Sequence, residues 1–187
     1  MSELCQLRPA TSQDVAAIQE IYAWHVLNGI ATFEEVVPEC EQMAERLHQI
    51  TAQGYPYIVA EKNNEIVGYA YASSFRPRIA YRYTVENAIY LRHDQARMGI
   101  GSLLLAELIR LCEAGPWRQM IAVIGSSANA GSIGVHRKAG FEMVGTLRTT
   151  GFKHGQWVDT VLMQRALSGG DKTPPDMTHT GALSPAV

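Results

Sequence analysis

The sequence predicts one α/β or α+β domain, built around a mixed, mostly antiparallel sheet with about four helices. The chain has 187 residues, enough for a single hydrophobic core, and its hydrophobic share of 47% is ordinary for a globular protein. Helical and extended patterns follow one another in a mixed order, which is typical of such a domain. We assign the domain to residues 1–167 and expect residues 168–187, rich in Gly, Pro, Thr and Ser, to form a flexible tail.

The individual elements follow from periodicity and from capping residues. Helices are predicted where apolar residues recur at helical spacing after a polar cap or a proline: from Thr11 or Ser12 to Asn28, from Pro38 to Gly54, from Ser102 to Glu113 and from Asn129 to Lys138. Strands are predicted where short runs are apolar or alternate: residues 5–9, 57–61, 66–72, 85–91, 119–124, 141–148 and 157–164.

Composition argues against several classes of function. The net charge of -2 carries no basic excess, so we expect no nucleic-acid partner. Residues 1–8 lack the features of a signal peptide, and no run approaches the roughly 18 apolar residues of a membrane span. We therefore expect a cytoplasmic protein without a membrane partner. Widely spaced cysteines without a CxxC pair indicate reduced thiols, and histidines without paired ligand spacing predict no metal site.

The most informative segment is a strand that runs into a glycine-rich turn and then a helix. Ile89-Tyr90-Leu91 ends the strand, and Arg97-Met98-Gly99-Ile100-Gly101-Ser102 opens the helix. Glycines let backbone N–H groups approach an anion, and a helix N-terminus carries partial positive charge, so the turn can bind a pyrophosphate. Arg97 can add a charge-assisted hydrogen bond. A tight turn that only caps the helix would give the same pattern.

Two other phosphate-binding motifs do not fit this segment. A dinucleotide fingerprint needs a third glycine at the position of Leu104, and a P-loop needs a Gly-Lys-Ser/Thr string that is absent from the turn. A second polar cluster follows the next predicted strand, where Asn129, Ser132 and His136 have helical spacing. Taken alone, that cluster also fits a capped surface helix with one exposed histidine.

Together, the two segments resemble the GNAT acyltransferase superfamily, over about residues 6–167. The second segment carries the string Asn-x-x-Ser-x-x-x-His-x-x-x-Gly-Phe, which ends at Gly140-Phe141. Two positions differ from the wider pattern: Ala96 stands where Gln or Arg usually begins the turn, and His136 stands where many members have tyrosine. The first difference should weaken one phosphate contact without abolishing the site, because backbone N–H groups supply most of the binding.

Within the superfamily, the sequence resembles the phosphinothricin and methionine sulfone (or sulfoximine) acetyltransferases. His136 agrees with this group. The other strings that carry the closer resemblance are Arg76-Pro77-Arg78, Tyr81, Thr84-Val85-Glu86 and Gly151-Phe152-Lys153-His154-Gly155-Gln156-Trp157. The resemblance implies an enzyme that moves an acetyl group from acetyl-coenzyme A to the α-amine of a small amino acid-like substrate. It implies direct transfer in a ternary complex, without a metal.

The resemblance also assigns roles to individual residues. Glu86 is expected to be the general base, and His136 to donate a proton to the departing thiolate. The alternatives are a surface ion pair for Glu86 and a structural or coenzyme-contacting role for His136. Backbone N–H groups of Ile89, Tyr90 and Leu91 are expected to polarise the thioester carbonyl. The remaining cofactor contacts are expected at Arg97, Met98, Gly99, Ile100, Gly101, Ser102, Asn129 and Ser132.

The acceptor is expected at a loop rich in arginine and aromatic residues. Guanidinium groups suit a carboxylate, sulfone or phosphinate, and aromatic side chains can form the walls, although a solvated basic loop is the alternative. Members of the group are homodimers, so the turn at residues 153–157 is expected to reach the partner's site. The residues assigned to acceptor binding are Phe33, Phe75, Arg76, Pro77, Arg78, Tyr81, Thr84, Val85 and Lys153.

Two other functions stay open at this point. One is a peptide, protein N-terminal or polyamine acetyltransferase with the same fold, which would need an open groove where this sequence favours a closed pocket. The other is a module that binds acetyl-coenzyme A without catalysis, and the presence of both Glu86 and His136 argues against it.

Overall fold

A seven-stranded sheet organises the computed structural model, which describes residues 5–179. The strands are β1 (Gln6–Pro9), β2 (Tyr57–Lys62), β3 (Glu65–Ser74), β4 (Thr84–Leu91), β5 (Gln119–Gly125), β6 (Glu142–Lys153) and β7 (Gln156–Ala166), in the spatial order β1-β2-β3-β4-β5-β7-β6. The described residues also form the helices α1 (Val15–Asn28), α2 (Cys40–Ala52), α3 (Ile100–Glu113) and α4 (Ala130–Lys138). The predicted mixed α/β fold is confirmed.

The sheet is sandwiched between two pairs of helices because its strands are apolar on both faces. In β2, Tyr57 and Val59 pack with α1 and α2, whereas Ile58 and Ala60 pack with α3 on the opposite face. In helices α1 and α3, apolar residues recur at helical spacing and are buried against the sheet. None of the helices in residues 5–179 combines the length and the apolar character that crossing a membrane requires.

The last hairpin is longer than the sequence predicts. The predicted strands covered residues 141–148 and 157–164, whereas β6 and β7 continue to a tight turn at His154-Gly155. The register between the two strands shifts between Leu147 and Gly151, and Thr149 has a φ of 52°. This bulge interrupts the alternation of side chains, so the sequence pattern ends before the strand does.

The sheet opens between β4 and β5, the one pair that runs parallel among the described strands. They pair from Thr84–Gln119 to Asn87–Ala122, and neither strand has ladder partners in the other beyond that point. β4 nevertheless continues to Leu91 beside β3, and β5 continues to Gly125 beside β7. The two strand ends therefore border a gap in the middle of the sheet.

Residues 168–179 follow β7 and are held by side chains of the domain. Their backbone carbonyls accept hydrogen bonds of 2.8 to 3.0 Å, which run from Arg118 to Gly170 and Thr173, from Tyr83 to Asp176 and from Arg82 to His179. Residues 180–187, the rest of the predicted flexible tail, lie outside the described residues, as do residues 1–4.

Candidate active site

The gap between β4 and β5 opens into a cavity of about 940 Å³. Its walls come from the ends of both strands, the start of α3, the first turns of α4 and the loop that follows α1. The predicted site residues that line it are Phe33, Glu86, Ile89, Tyr90, Leu91, Arg97, Gly99, Gly101, Ser102, Asn129, Ser132 and His136. Residues assigned to the cofactor and to proton transfer thus share one cavity.

The glycine-rich turn has the geometry of an anion site. Gly99 has a φ of 82°, in the left-handed region that glycine adopts without steric cost. The first hydrogen bond of α3 runs from Leu103 N to Gly99 O at 3.1 Å, so the three N–H groups between them have no partner within the helix. Those groups and the helix dipole suit a phosphate.

Glu86 lies half-buried in the wall of this cavity. It stands on β4, one residue before the last pair between β4 and β5. Burial raises the pKa of its carboxyl above the ordinary value, and the guanidinium of Arg76 acts in the opposite direction. A raised pKa suits a group that exchanges protons near neutral pH.

Both ring nitrogens of His136 face oxygen atoms. Nδ1 lies 2.8 Å from the carbonyl oxygen of Ser132, and Nε2 lies 3.0 Å from Oδ1 of Asn87. The ring is edge-on to Phe141 and only 4% of the residue is exposed. Burial lowers the pKa of His136, while the bond to the Ser132 backbone acts in the opposite direction. The expected exposed histidine of the alternative interpretation is therefore wrong.

The start of α4 is capped within the cavity wall. Oδ1 of Asn129 accepts a hydrogen bond of 3.1 Å from the backbone N of Ser132, as an N-cap residue does. The cap fixes the first turn of α4, and Gly131 and Gly134 of this helix line the cavity without side chains. This face of α4 is shaped for an elongated ligand that lies between the helix and the ends of the strands.

Several predicted site residues do not line the cavity. Val85 is fully buried in the core that packs against α3. Ile100 packs in the same core and Met98 is 55% exposed, so neither side chain contributes to the wall. Half-buried Phe75 and Thr84 lie outside the wall as well, as do exposed Arg76, Pro77, Arg78 and Tyr81.

Lys153, which was assigned to the acceptor, lies inside the protein. Only 1% of the residue is exposed, and its ammonium group donates to the carbonyl oxygen of Thr32 at 2.7 Å. It is placed there because β6 extends beyond the bulge and passes under the loop after α1.

The sequence did not point to several side chains of the cavity wall, among them Trp24, His25, Tyr71 and Asn87. Nε2 of His25 lies 2.8 Å from the carbonyl oxygen of Leu91, so this nitrogen carries the proton and the end of β4 is anchored to α1. The apolar alternation of β3 could have located Tyr71, but its contact with the gap depends on the separation of β4 from β5.

Within the described residues there is no cluster of three or more His, Cys, Asp or Glu side chains that could hold a metal ion.

Comparison with known proteins agrees with this architecture. Residues 7–162 match the acetyltransferase (GNAT) domain. A phosphinothricin N-acetyltransferase of Alcaligenes faecalis is 48% identical over 92% of this chain and 87% of that protein. An L-methionine sulfoximine/L-methionine sulfone acetyltransferase of Pseudomonas aeruginosa is 36% identical over 90% of this chain and 98% of that protein.

A solved structure is similar over nearly the whole domain. It is a GNAT superfamily phosphinothricin acetyltransferase from Sinorhizobium meliloti in complex with acetyl-coenzyme A, with 49% identity and a TM-score of 0.90. The match covers 92% of this chain and 94% of that one. Because the acetyltransferase (GNAT) domain matches most of this chain, the chain belongs to the GNAT acetyltransferase family.

Proposed function

We propose that this protein transfers the acetyl group of acetyl-coenzyme A to the α-amine of a small, amino acid-like acceptor of the phosphinothricin, methionine sulfone or methionine sulfoximine type. The observation that carries the proposal is the position of Glu86, a half-buried carboxylate in the wall of the same cavity as the glycine-rich turn. The names of the relatives support the class of acceptor.

The cavity fits acetyl-coenzyme A by its own geometry. The unpaired N–H groups at the start of α3 suit the pyrophosphate, with Arg97 beside them in the cavity wall. The pantetheine arm fits the gap in the sheet, where Asn129 and Ser132 lie on the α4 side. When bound there, the thioester supplies an activated acetyl group.

Glu86 acts as the base in this proposal. Amide formation needs a neutral amine, and an α-amino group is partly protonated at physiological pH. The carboxylate takes that proton directly or through one water, and the neutral amine nitrogen forms a bond to the carbonyl carbon. As the carbon–sulfur bond breaks, the nitrogen loses its second proton and the coenzyme leaves, with one proton gained, as a thiol. No acyl-enzyme is needed, because donor and acceptor meet in one cavity.

The open end of β4 would stabilise the developing negative charge. Beyond Asn87, Ile89, Tyr90 and Leu91 have no pairing with β5, and the three residues line the cavity. Backbone N–H groups facing such a gap are suitable donors to an oxyanion. His136 as the proton donor to the thiolate stays a prediction: two oxygen acceptors favour its charged ring, and burial opposes it.

The acceptor side of the cavity lies around Phe33, Tyr71 and Glu86. Aromatic walls beside one carboxylate suit a compact amine better than a polypeptide, which would need an open groove. Arg76 is close enough to Glu86 to influence the pKa of its carboxyl, and its guanidinium can meet an anionic head group at the mouth.

A thiol-release assay with acetyl-coenzyme A tests the proposal. The panel contains phosphinothricin, methionine sulfone, methionine sulfoximine, a polyamine and a short peptide, with Glu86→Gln as the matched variant. We expect turnover of the first three compounds, and loss of turnover in the variant without loss of coenzyme binding. Preferential turnover of the peptide or polyamine would refute the acceptor class. Coenzyme binding without any turnover would favour a non-catalytic module.

We further propose that two copies associate through the β6–β7 edge of the sheet. Five large side chains there are exposed by 46 to 66%: Met143, Val144, Leu147, Phe152 and Trp157. β6 is also an edge strand, with backbone groups that no described strand pairs on its outer side. Light scattering tests this directly: the parent chain should be a dimer, and Val144→Arg should be a monomer with an intact far-ultraviolet spectrum. A monomeric parent would refute it.

A further inference from the structure

The ammonium group of Lys153 is buried. The residue is 1% exposed, and Nζ lies 2.7 Å from the carbonyl oxygen of Thr32 and 3.4 Å from that of His25. The ion pairs found among residues 5–179 do not include it. Withdrawing a charge from water is costly when no opposite charge lies beside it. The two carbonyl contacts therefore stabilise the ammonium group in this position.

Burial is the largest influence on Lys153 and lowers its pKa, whereas the end of α1 acts in favour of the charged form. His25 lies in the last turn of that helix, whose carbonyl groups carry the negative end of the helix dipole. Glu34 and Glu35 also favour the charged form, from a greater distance. A methionine in its place would fill similar space and leave the Thr32 carbonyl without its donor.

Lys153 is one of several contacts that hold residues 29–34, which we call the entry loop. Nε2 of His154 lies 3.2 Å from the carbonyl oxygen of Gly29. A side chain at Gly151 would overlap the ring of Phe33, and one at Gly125 would overlap the carbonyl oxygen of Ile30. The β6–β7 hairpin and the end of β5 therefore support the entry loop along most of its length.

The entry loop in turn forms a wall of the cavity. Ala31 and Phe33 line the same cavity as Glu86 and Tyr71. Oγ1 of Thr32 lies 2.8 Å from the hydroxyl of Tyr22. A displacement of the Thr32 carbonyl would thus move Phe33 relative to Glu86.

We propose that Lys153 is a positioning residue that sets the affinity for the acceptor by holding the entry loop, and with it Phe33, against the cavity. This inference rests on the proposed acetyl transfer and extends it to a residue that touches neither substrate. The glycine-rich turn and α4 form the cofactor side of the cavity and make no contact with Lys153 in the described hydrogen bonds. The effect should therefore be confined to the acceptor.

The test compares Lys153→Met with Lys62→Met, a control on β2 that removes a lysine remote from the cavity wall. Each variant is assayed with whichever acceptor the parent enzyme turns over. For Lys153→Met we expect the KM of the acceptor to rise about tenfold or more, the range of one lost charge-assisted hydrogen bond. The KM of acetyl-coenzyme A and its affinity by calorimetry should stay within about twofold of the parent, and Lys153→Arg should restore part of the loss.

A second variant reaches the same loop without altering the charge. The added methyl group of Gly151→Ala would overlap the ring of Phe33. We expect this variant also to raise the KM of the acceptor while the KM of acetyl-coenzyme A stays nearly unchanged. Equal increases in both KM values, or an unchanged acceptor KM in both variants, would overturn the positioning role. If Lys153→Met does not fold, Gly151→Ala decides alone. An inactive parent enzyme would instead refute the proposed function, so the two failures are distinguishable.

Discussion

Asn87 and His136 tie strand β4 to helix α4 at the level where β4 separates from β5. The two side chains meet at 3.0 Å, and Asn87 is the last residue of β4 that pairs with β5. Both residues are buried, with 6% and 4% of their surfaces exposed. The contact therefore sits at the apex of the gap that opens into the cavity.

Asn87→Ala should weaken both stability and catalysis. It leaves Nε2 of His136 without this partner in a buried place, which costs about 1–3 kcal/mol. We expect a lower urea midpoint and a reduced kcat, because Glu86 is the adjacent residue. Urea unfolding and steady-state kinetics measure the two effects, with exposed Asn28→Ala as the control. An Asn87→Ala protein as stable and active as the parent would contradict the prediction.

The acid limb of the activity profile should report Glu86. The base must be deprotonated, so kcat falls as the pH falls through the pKa of this carboxyl, which burial raises. Arg76 opposes that rise, so Arg76→Gln should move the limb to higher pH when the acceptor is saturating. Glu86→Gln should lower kcat by about 10²–10⁴. A limb that stays in place in Arg76→Gln would argue against this assignment.

Stability should decrease on mild acidification because of half-buried His25 and buried His136. Burial lowers the pKa of both His25 and His136. Unfolded histidines titrate near pH 6.5, so below about that pH the unfolded state binds more protons than the folded state. The free energy of unfolding should then fall by up to about 1.4 kcal/mol per pH unit for each histidine. Urea unfolding between pH 7.5 and 5.5 measures the slope, which His136→Asn should reduce.

Gly99→Ala should impair coenzyme binding selectively. A Cβ there meets no described atom within 4 Å, but the φ of 82° would be strained by about 1–2 kcal/mol. Relaxation of the turn would misdirect the N–H groups of α3, so we expect a higher KM for acetyl-coenzyme A. Gly54→Ala is the matched control, with a φ of 83° far from the cavity. Similar KM changes in both variants would leave no special role for the turn.

The segment 168–179 should depend on Arg118. This side chain binds the carbonyl oxygens of Gly170 and Thr173, each at 2.8 Å. Arg118→Met should therefore accelerate cleavage of the segment by a protease. Mass spectrometry of the digest over time measures the rate. Arg110→Met, which removes only an exposed pair with Glu107, should leave the rate unchanged. Equal rates in both variants would mean that the tail is held by its other contacts.

Much of the fold was predictable because its signals are local. Periodicity located α3 and β4, and the glycine turn marked the cofactor side of the cavity. The bulge in β6 could not be predicted, because Thr149 has a φ of 52° and a threonine does not indicate a positive φ as a glycine would. Lys153 was misplaced for a related reason: a lysine beside a turn is usually exposed, and its burial depends on Thr32, 121 positions away.

The distance along the chain between Thr32 and Lys153 also determines the order in which parts of the cavity can form. The entry loop is made early, yet Gly125, Gly151, Lys153 and His154, which fix it, come from the last third of the chain. During synthesis the entry loop cannot adopt its final position until these partners have been made, because contacts between distant segments form only when both segments exist. A nascent chain that ends before Lys153 already carries Glu86 and the glycine turn without a fixed wall facing them. Completion of the final hairpin and completion of the cavity are therefore one event.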